Sequence, residues 1–466
     1  MNGQVHDIDV DGVDPNHWLI GARGGGVWET RDAGTTWAAT TDAQASLSVG
    51  AVAFAPGNAN TIYAGVGHNS GLGVGILKST DGGTSWQLLG TSTFTNKSFF
   101  DFTDIKVHPT NPGIVVATSR DFFGPNLSTG IFKSTDGGVT WSQKVQGVGA
   151  ELEVDPSNFN NQYSGIRAVC GGCDGSLNGL YRSTSAGDSW QLISGPWGLI
   201  TNAGALELAI APSDPNVLYV TFTGDNCTQQ FWRTNSAWAS TPSWTQLPSN
   251  SQECAFEETI VDPINPNILY AGGVLLWKFD GTNWTNISNG IHVDQHSMAW
   301  VGTRLILGND GGIWSTTNGG SAWANHNTNL SIVQFYLGSL HPTDSSFALG
   351  GSQDNGTEKW TGTTAWQFLF GGDGAANAIS STSPDMNWAV SFQFLGIVRT
   401  TDGGASFTAA DSGIDKQALL SSLGLKNART TTTCSLRALT IFGRPPTSIT
   451  RSVHPGRLTA RKWDLR

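Results

Sequence analysis

Four stretches in the second half of the chain hold side chains that could move protons. GIHVDQHSMAW (Gly290–Trp300) carries His292, Asp294 and His296 at alternate positions, so an extended strand would turn all three the same way. Asn309-Asp310-Gly311, Ser352-Gln353-Asp354-Asn355-Gly356 and Gly371-Gly372-Asp373-Gly374 follow. Paired carboxyls are what glycoside hydrolysis needs, one as acid and one as base or nucleophile. Asp310, Asp354 and Asp373 are therefore the candidate catalytic residues, and His292, Asp294 and His296 the candidate substrate-binding ones. Asp before Gly also builds ordinary turns. The alternation in His292, Asp294 and His296 suits a metal or a polar network equally well, and we assign no metal and no cofactor.

These stretches sit in a repeat. STDGGTSW (Ser79–Trp86), STDGGVTW (Ser134–Trp141), TTNGGSAW (Thr316–Trp323) and TTDGGASF (Thr400–Phe407) are close copies, with TRDAGTTW (Thr30–Trp37) and STSAGDSW (Ser183–Trp190) looser ones. Aromatic marks recur at Trp37, Trp86, Trp141, Trp190, Trp244, Trp284, Trp323, Trp366 and Phe407. Phrases such as APSDPNVLYV (Ala211–Val220) and VDPINPNILYAGG (Val261–Gly273) precede them, with turn residues between two apolar runs. Each unit reads as four antiparallel strands, a propeller blade. The expected fold is an all-β propeller of about nine blade units, residues 1–412. Nine units fit an incomplete ten-bladed ring, or one seven-bladed ring plus part of a second. In a four-stranded meander the Pro-Asn hairpins and the Asp-Gly-Gly turns share one rim, so Asp81, Asp136 and Asp402 read as structural. The variable loops, with the four clusters above, share the other. Aromatics expected on that rim for stacking on sugars are Phe122, Phe123 and Trp197; Trp238 is a further one, and Arg23, Arg120 and Arg167 its sparse cations.

The repeated turns resemble Asp-boxes, also called bacterial neuraminidase repeats. With GNDGGIWSTTNGGSAW, SIVQFY, GGSQDNGT and GGDG they make the body similar to secreted xyloglucanase-type glycoside hydrolases and sortilin-type propellers. That resemblance implies a propeller fold and leaves two functions open. One is a glycoside hydrolase-like protein acting on or binding polysaccharide through the variable rim. The other is a non-catalytic protein- or glycan-binding propeller of sortilin or assembly-factor type. No Arg-Ile-Pro segment accompanies an arginine triad, so the chain does not read as a typical sialidase.

Composition bounds the rest. Of 466 residues only 13% are charged, while Gly numbers 59 and Trp 19. Such a mix suits a β-rich extracellular or periplasmic protein, although the N-terminus lacks a charged-then-apolar leader pattern. The net charge of −11 argues against a nucleic-acid partner, and no apolar run is long enough for a membrane helix. Residues 413–466 lose the repeat and hold ten of the 25 basic residues, reading as a poorly ordered basic tail. Cys170 and Cys173 (CGGC) read as a local disulfide, with Cys227 and Cys254 as a second pair.

Overall fold

A computed structural model describes residues 2–67, 72–95, 97–98, 100–121, 128–167, 177–197, 205–223, 229–250, 257–393 and 396–414. The five cysteines, Phe122, Phe123 and the basic tail lie outside them. Nine four-stranded antiparallel sheets follow one another in sequence order. They make nine blades, as the repeat count predicts.

The first seven blades close into a ring. Their innermost strands are Val5–Val10, Val49–Ala55, Phe100–Val107, Val148–Val154, Ala205–Ile210, Glu258–Val261 and Gln295–Val301. Each packs beside the next, and the seventh packs beside the first. The seam between blades 7 and 1 is stitched by side chains. Trp37 Nε1 donates to His326 O (2.8 Å) and Ile332 N–H donates to Asn2 Oδ1 (3.0 Å). Of the two expected arrangements, the structure therefore adopts a seven-bladed ring followed by two further blades. Residues 1–335 with Ser352–Gly356 form one compact unit, and Tyr336–Gly351 with Thr357 onward form another. The second unit has its own core of Phe347, Leu349, Trp388 and Val390.

The Asp-Gly-Gly turn shows why its sequence recurs. In Ser79–Trp86, Ser79 Oγ donates to Asp81 Oδ1 (2.8 Å) and accepts from Gly83 N–H (2.9 Å), while Ser85 N–H donates to Asp81 Oδ1 (2.9 Å). The same bonds recur around Asp32, Asp136 and Asp402. Where Asn318 replaces Asp, its amide oxygen still accepts from Thr316 and Ala322. Gly82 and Gly137 have φ of 68° and 73°, a region favouring glycine. In the looser copies Ala33 and Ala186 are forced to 56° and 52° there. The hydrogen bonds hold Asp136 and Asp402 at about 2. A tyrosine on the second strand then ties this rim together. Tyr63 OH donates to Pro112 O and Gly137 O of the next blade, and Tyr219 OH to Pro266 O.

Candidate functional site

The opposite rim is built differently. The inner strands of blades 1, 3, 4 and 7 each carry a register shift near their starts, at His6, Thr103, Ala150–Glu151 and His296. Such bulges re-aim side chains. Here they put polar groups around a cavity of about 250 Å³ along the ring axis, lined by His6, Arg120, Arg167, Glu207, Glu257 and His296 among others.

His296 is the hub of that rim. Its Nδ1 lies 2.8 Å from Glu257 Oε2 and its Nε2 2.8 Å from Asp310 Oδ1. Burial works against a charge on the ring, yet the two carboxylates win and push it up to about 10. His296 is thus an imidazolium donating to both. Desolvation opposes charge on Glu257, but the hydrogen bond and charge of His296 bring it down to about 2. Nearby, Arg23 Nη1 donates to Gln4 Oε1 (3.1 Å). His6, whose ring centre is 6.0 Å from that of His296, stays neutral because burial and then Arg120 lower it. Arg120 Nε in turn donates to Asp101 Oδ2 (2.9 Å).

Three of the four clusters meet here. Asp310 N–H donates to Asp294 O (3.3 Å), and Asn355 Nδ2 donates to Asp310 O (2.8 Å). The loops of Asp294, Asp310 and Asp354 therefore lie in series along one rim of the ring unit. Asp310 is 6% exposed and engaged with His296. Asp294 and Asp354 are only partly buried, and both adopt left-handed backbone, with φ of 62° and 56°. Residues held there are strained, and such strain collects at functional sites. Burial, then the neighbouring Asp310 carboxylate, push Asp294 up to about 6. Asp373 belongs to the second unit, where its N–H donates to Gln393 Oε1 (2.9 Å).

One expectation needs correcting. His292, Asp294 and His296 do not form one row, because the strand begins only at Gln295, Asp294 is left-handed and His296 sits in the bulge. His292 instead turns its Nδ1 to Val293 O (2.9 Å). Among the described residues no group of His, Cys, Asp or Glu is arranged to hold a metal ion. Trp197 is partly buried, with its ring 5.0 Å from Phe222 and 4.9 Å from Trp244, and Trp238 lies 4.9 Å from Tyr163.

Sequence reasoning missed Glu257, which sits in an otherwise unremarkable Glu-Glu pair. It also missed the acids of the inner strands. Their signal was available: acids alternate in VHDIDV (Val5–Val10) and ELEV (Glu151–Val154), a period of two on strands otherwise expected to be apolar.

No family model matches the chain. Its sequence is 26% identical over 319 residues to a xyloglucanase from a Paenibacillus species, covering 56% of this chain and 29% of that protein. It is 25% identical over 311 residues to a xyloglucanase from Hypocrea jecorina, covering 55% and 35%. The chain thus spans about a third of the length of the curated relatives it matches. Among solved structures it is similar to an ancestral GH74 enzyme (18% identity, TM-score 0.62, 88% of this chain and 62% of the other). The GH74 enzyme of Niastella koreensis is comparable (19%, TM-score 0.62, 89% and 67%). At those identities the structural likeness speaks for the fold. By sequence and fold together, the chain is a glycoside hydrolase-like β-propeller.

Proposed function

We propose that the chain hydrolyses a polysaccharide of the xyloglucan class on the variable rim. Asp294 serves as proton donor and Asp354 as the base that activates water. Asp310, pinned by His296, is a positioning residue. The observation that carries this reading is Asp294, partly buried on the loop rim, whose carboxyl is raised to about 6 by burial and then by the Asp310 charge. A carboxyl kept protonated towards neutrality by its surroundings is suited to act as the acid. A polymer of this size cannot cross a membrane unaided, so we assign the protein to an extracellular or periplasmic setting; among the described residues no helix is long and apolar enough to span a membrane.

The test is release of reducing ends from xyloglucan and other glycans by the full chain. Asp294→Asn should lower kcat/KM by about 10²–10⁴-fold, and the activity of the unchanged protein should fall on the alkaline side as Asp294 loses its proton. Asp354→Asn tests the base. Activity kept in both variants would overturn the assignment. Absence of cleavage by the parent on every glycan, with retained binding, would favour the non-catalytic glycan-binding propeller. The close engagement of Asp310 by His296 favours that second reading.

A further inference from the structure

The innermost strand of a blade is an edge strand, with alternate N–H groups facing the axis and no fifth strand to receive them. Exposed edges normally need covering. Here the cover is a set of carboxyls from the preceding blade. Val52 N–H donates to Asp7 Oδ2 (2.7 Å) and Phe54 N–H to Asp9 Oδ2 (2.7 Å), joining blade 2 to blade 1. Leu152 N–H donates to Asp104 Oδ2 (3.2 Å), joining blade 4 to blade 3. Leu208 N–H donates to Glu151 Oε2 (2.8 Å) and Ile210 N–H to Glu153 Oε2 (3.4 Å), joining blade 5 to blade 4. Asp7 and Asp9 also accept the N–H of Ile8 and Val10 on their own strand (2.7 and 2.8 Å), so each bridges two strand edges.

We propose that these inner-strand carboxyls are blade-to-blade clamps, and that their crowding makes the ring tighten in mild acid and loosen as the solution turns alkaline. This inference does not rest on the proposed hydrolysis. The clamps face one another across a narrow axis. Glu258 of blade 6 and Glu207 of blade 5 add to them, while Lys106, ion-paired with Asp104 at 3.1 Å, is the cation among them. Arg120, Arg167, His6 and His296 stand higher, with Asp101 and Glu257. Burial is the largest influence on Asp7, Asp9, Glu151, Glu153, Glu207 and Glu258, and it outweighs the N–H bonds that favour the charged form. It raises Asp7 to about 7, Asp9 to about 6 and Glu207 to about 8, and the other three are raised too, with neighbouring acids adding to the effect. A carboxyl whose pKa is raised on folding gives full stability below its unfolded value, near 4. That stability is lost as pH rises through the folded value, here between about 4 and 8. The seam of blades 7 and 1, closed by Asn2 and Trp37, shows no such acid clamp among the described residues and should respond less.

The experiment is thermal unfolding of the full chain at intervals from pH 5 to pH 8.5. The wild type should lose several degrees of Tm across that range. Asp7→Asn/Asp9→Asn cannot ionise and keeps one acceptor oxygen for the two N–H groups that each side chain receives, so its Tm should be lower overall while its slope with pH flattens. A wild-type Tm that is flat or rises with pH, or an Asn variant with the wild-type slope, would overturn the proposal. Should the variant fail to fold, hydrogen exchange of the wild type decides. Corrected for the intrinsic rate, protection at Val52 and Phe54 should fall at least several-fold from pH 5 to pH 8, and unchanged protection there would refute the clamps.

Discussion

The aspartates of the Asp-Gly-Gly turns and the acids around the ring axis are the same chemical groups in opposite circumstances. Asp32, Asp136 and Asp402 are in solvent, accept hydroxyl and backbone donors, and are held at about 2. Asp7 and Asp294 are partly withdrawn from water among other acids, and are raised to about 7 and 6. Hydrogen bonding to the charged form wins in the turns; desolvation wins at Asp7 and Asp294. The eye-catching repeat is thus turn construction, and the quieter, unrepeated acids are the ones poised to exchange protons near neutrality.

Breaking that comparison should produce effects of very different size. The largest is on activity, through Asp294→Asn, as set out above. Next comes His296→Gln, which leaves Glu257 and Asp310 without their shared cation. Of the two acids only Asp310 is buried, Glu257 being more than half exposed, so the cost should fall below the roughly 3–5 kcal/mol of breaking a fully buried ion pair, measurable as a shift in the urea midpoint. The His296 contribution also has a pH signature. It is full below about 6.5 and lost as pH rises toward 10, because folding raises this pKa, and the variant should lack that alkaline limb. Trp197→Ala should cost about 2–3 kcal/mol if the ring fills the blade core, with glycan affinity unchanged; a loss of affinity without loss of stability would restore the stacking role. Smallest is Asp136→Asn, which keeps an acceptor as Asn318 does in its own turn. It should lower Tm by no more than a few degrees and leave the variable rim intact.

Much of this fold was readable in the chain. The aromatic marks and Asp-Gly-Gly turns counted nine blades because each turn needs the same left-handed glycine and the same hydroxyl–carboxylate bonds. Ring closure was not readable, since it depends on pairings such as Trp37 with His326 and Asn2 with Ile332, nearly 300 residues or more apart. Local pattern carries no information on such contacts. For the site, strand parity placed Asp310 and Asp354 on one rim, and Asn355 joins their loops. The reading failed at His292, where an extended strand was assumed across a left-handed residue. It also passed over Glu257, whose importance comes only from meeting His296 across a blade boundary.

The most direct measurement sets Asp294→Asn beside Asp136→Asn in one xyloglucan cleavage assay, with Tm recorded for both. The expected result is loss of about 10²-fold or more in kcat/KM for Asp294→Asn with its fold intact, and near wild-type activity for Asp136→Asn. Equal activity in the two variants, or a greater loss from the turn residue, would contradict the division of labour between the two rims.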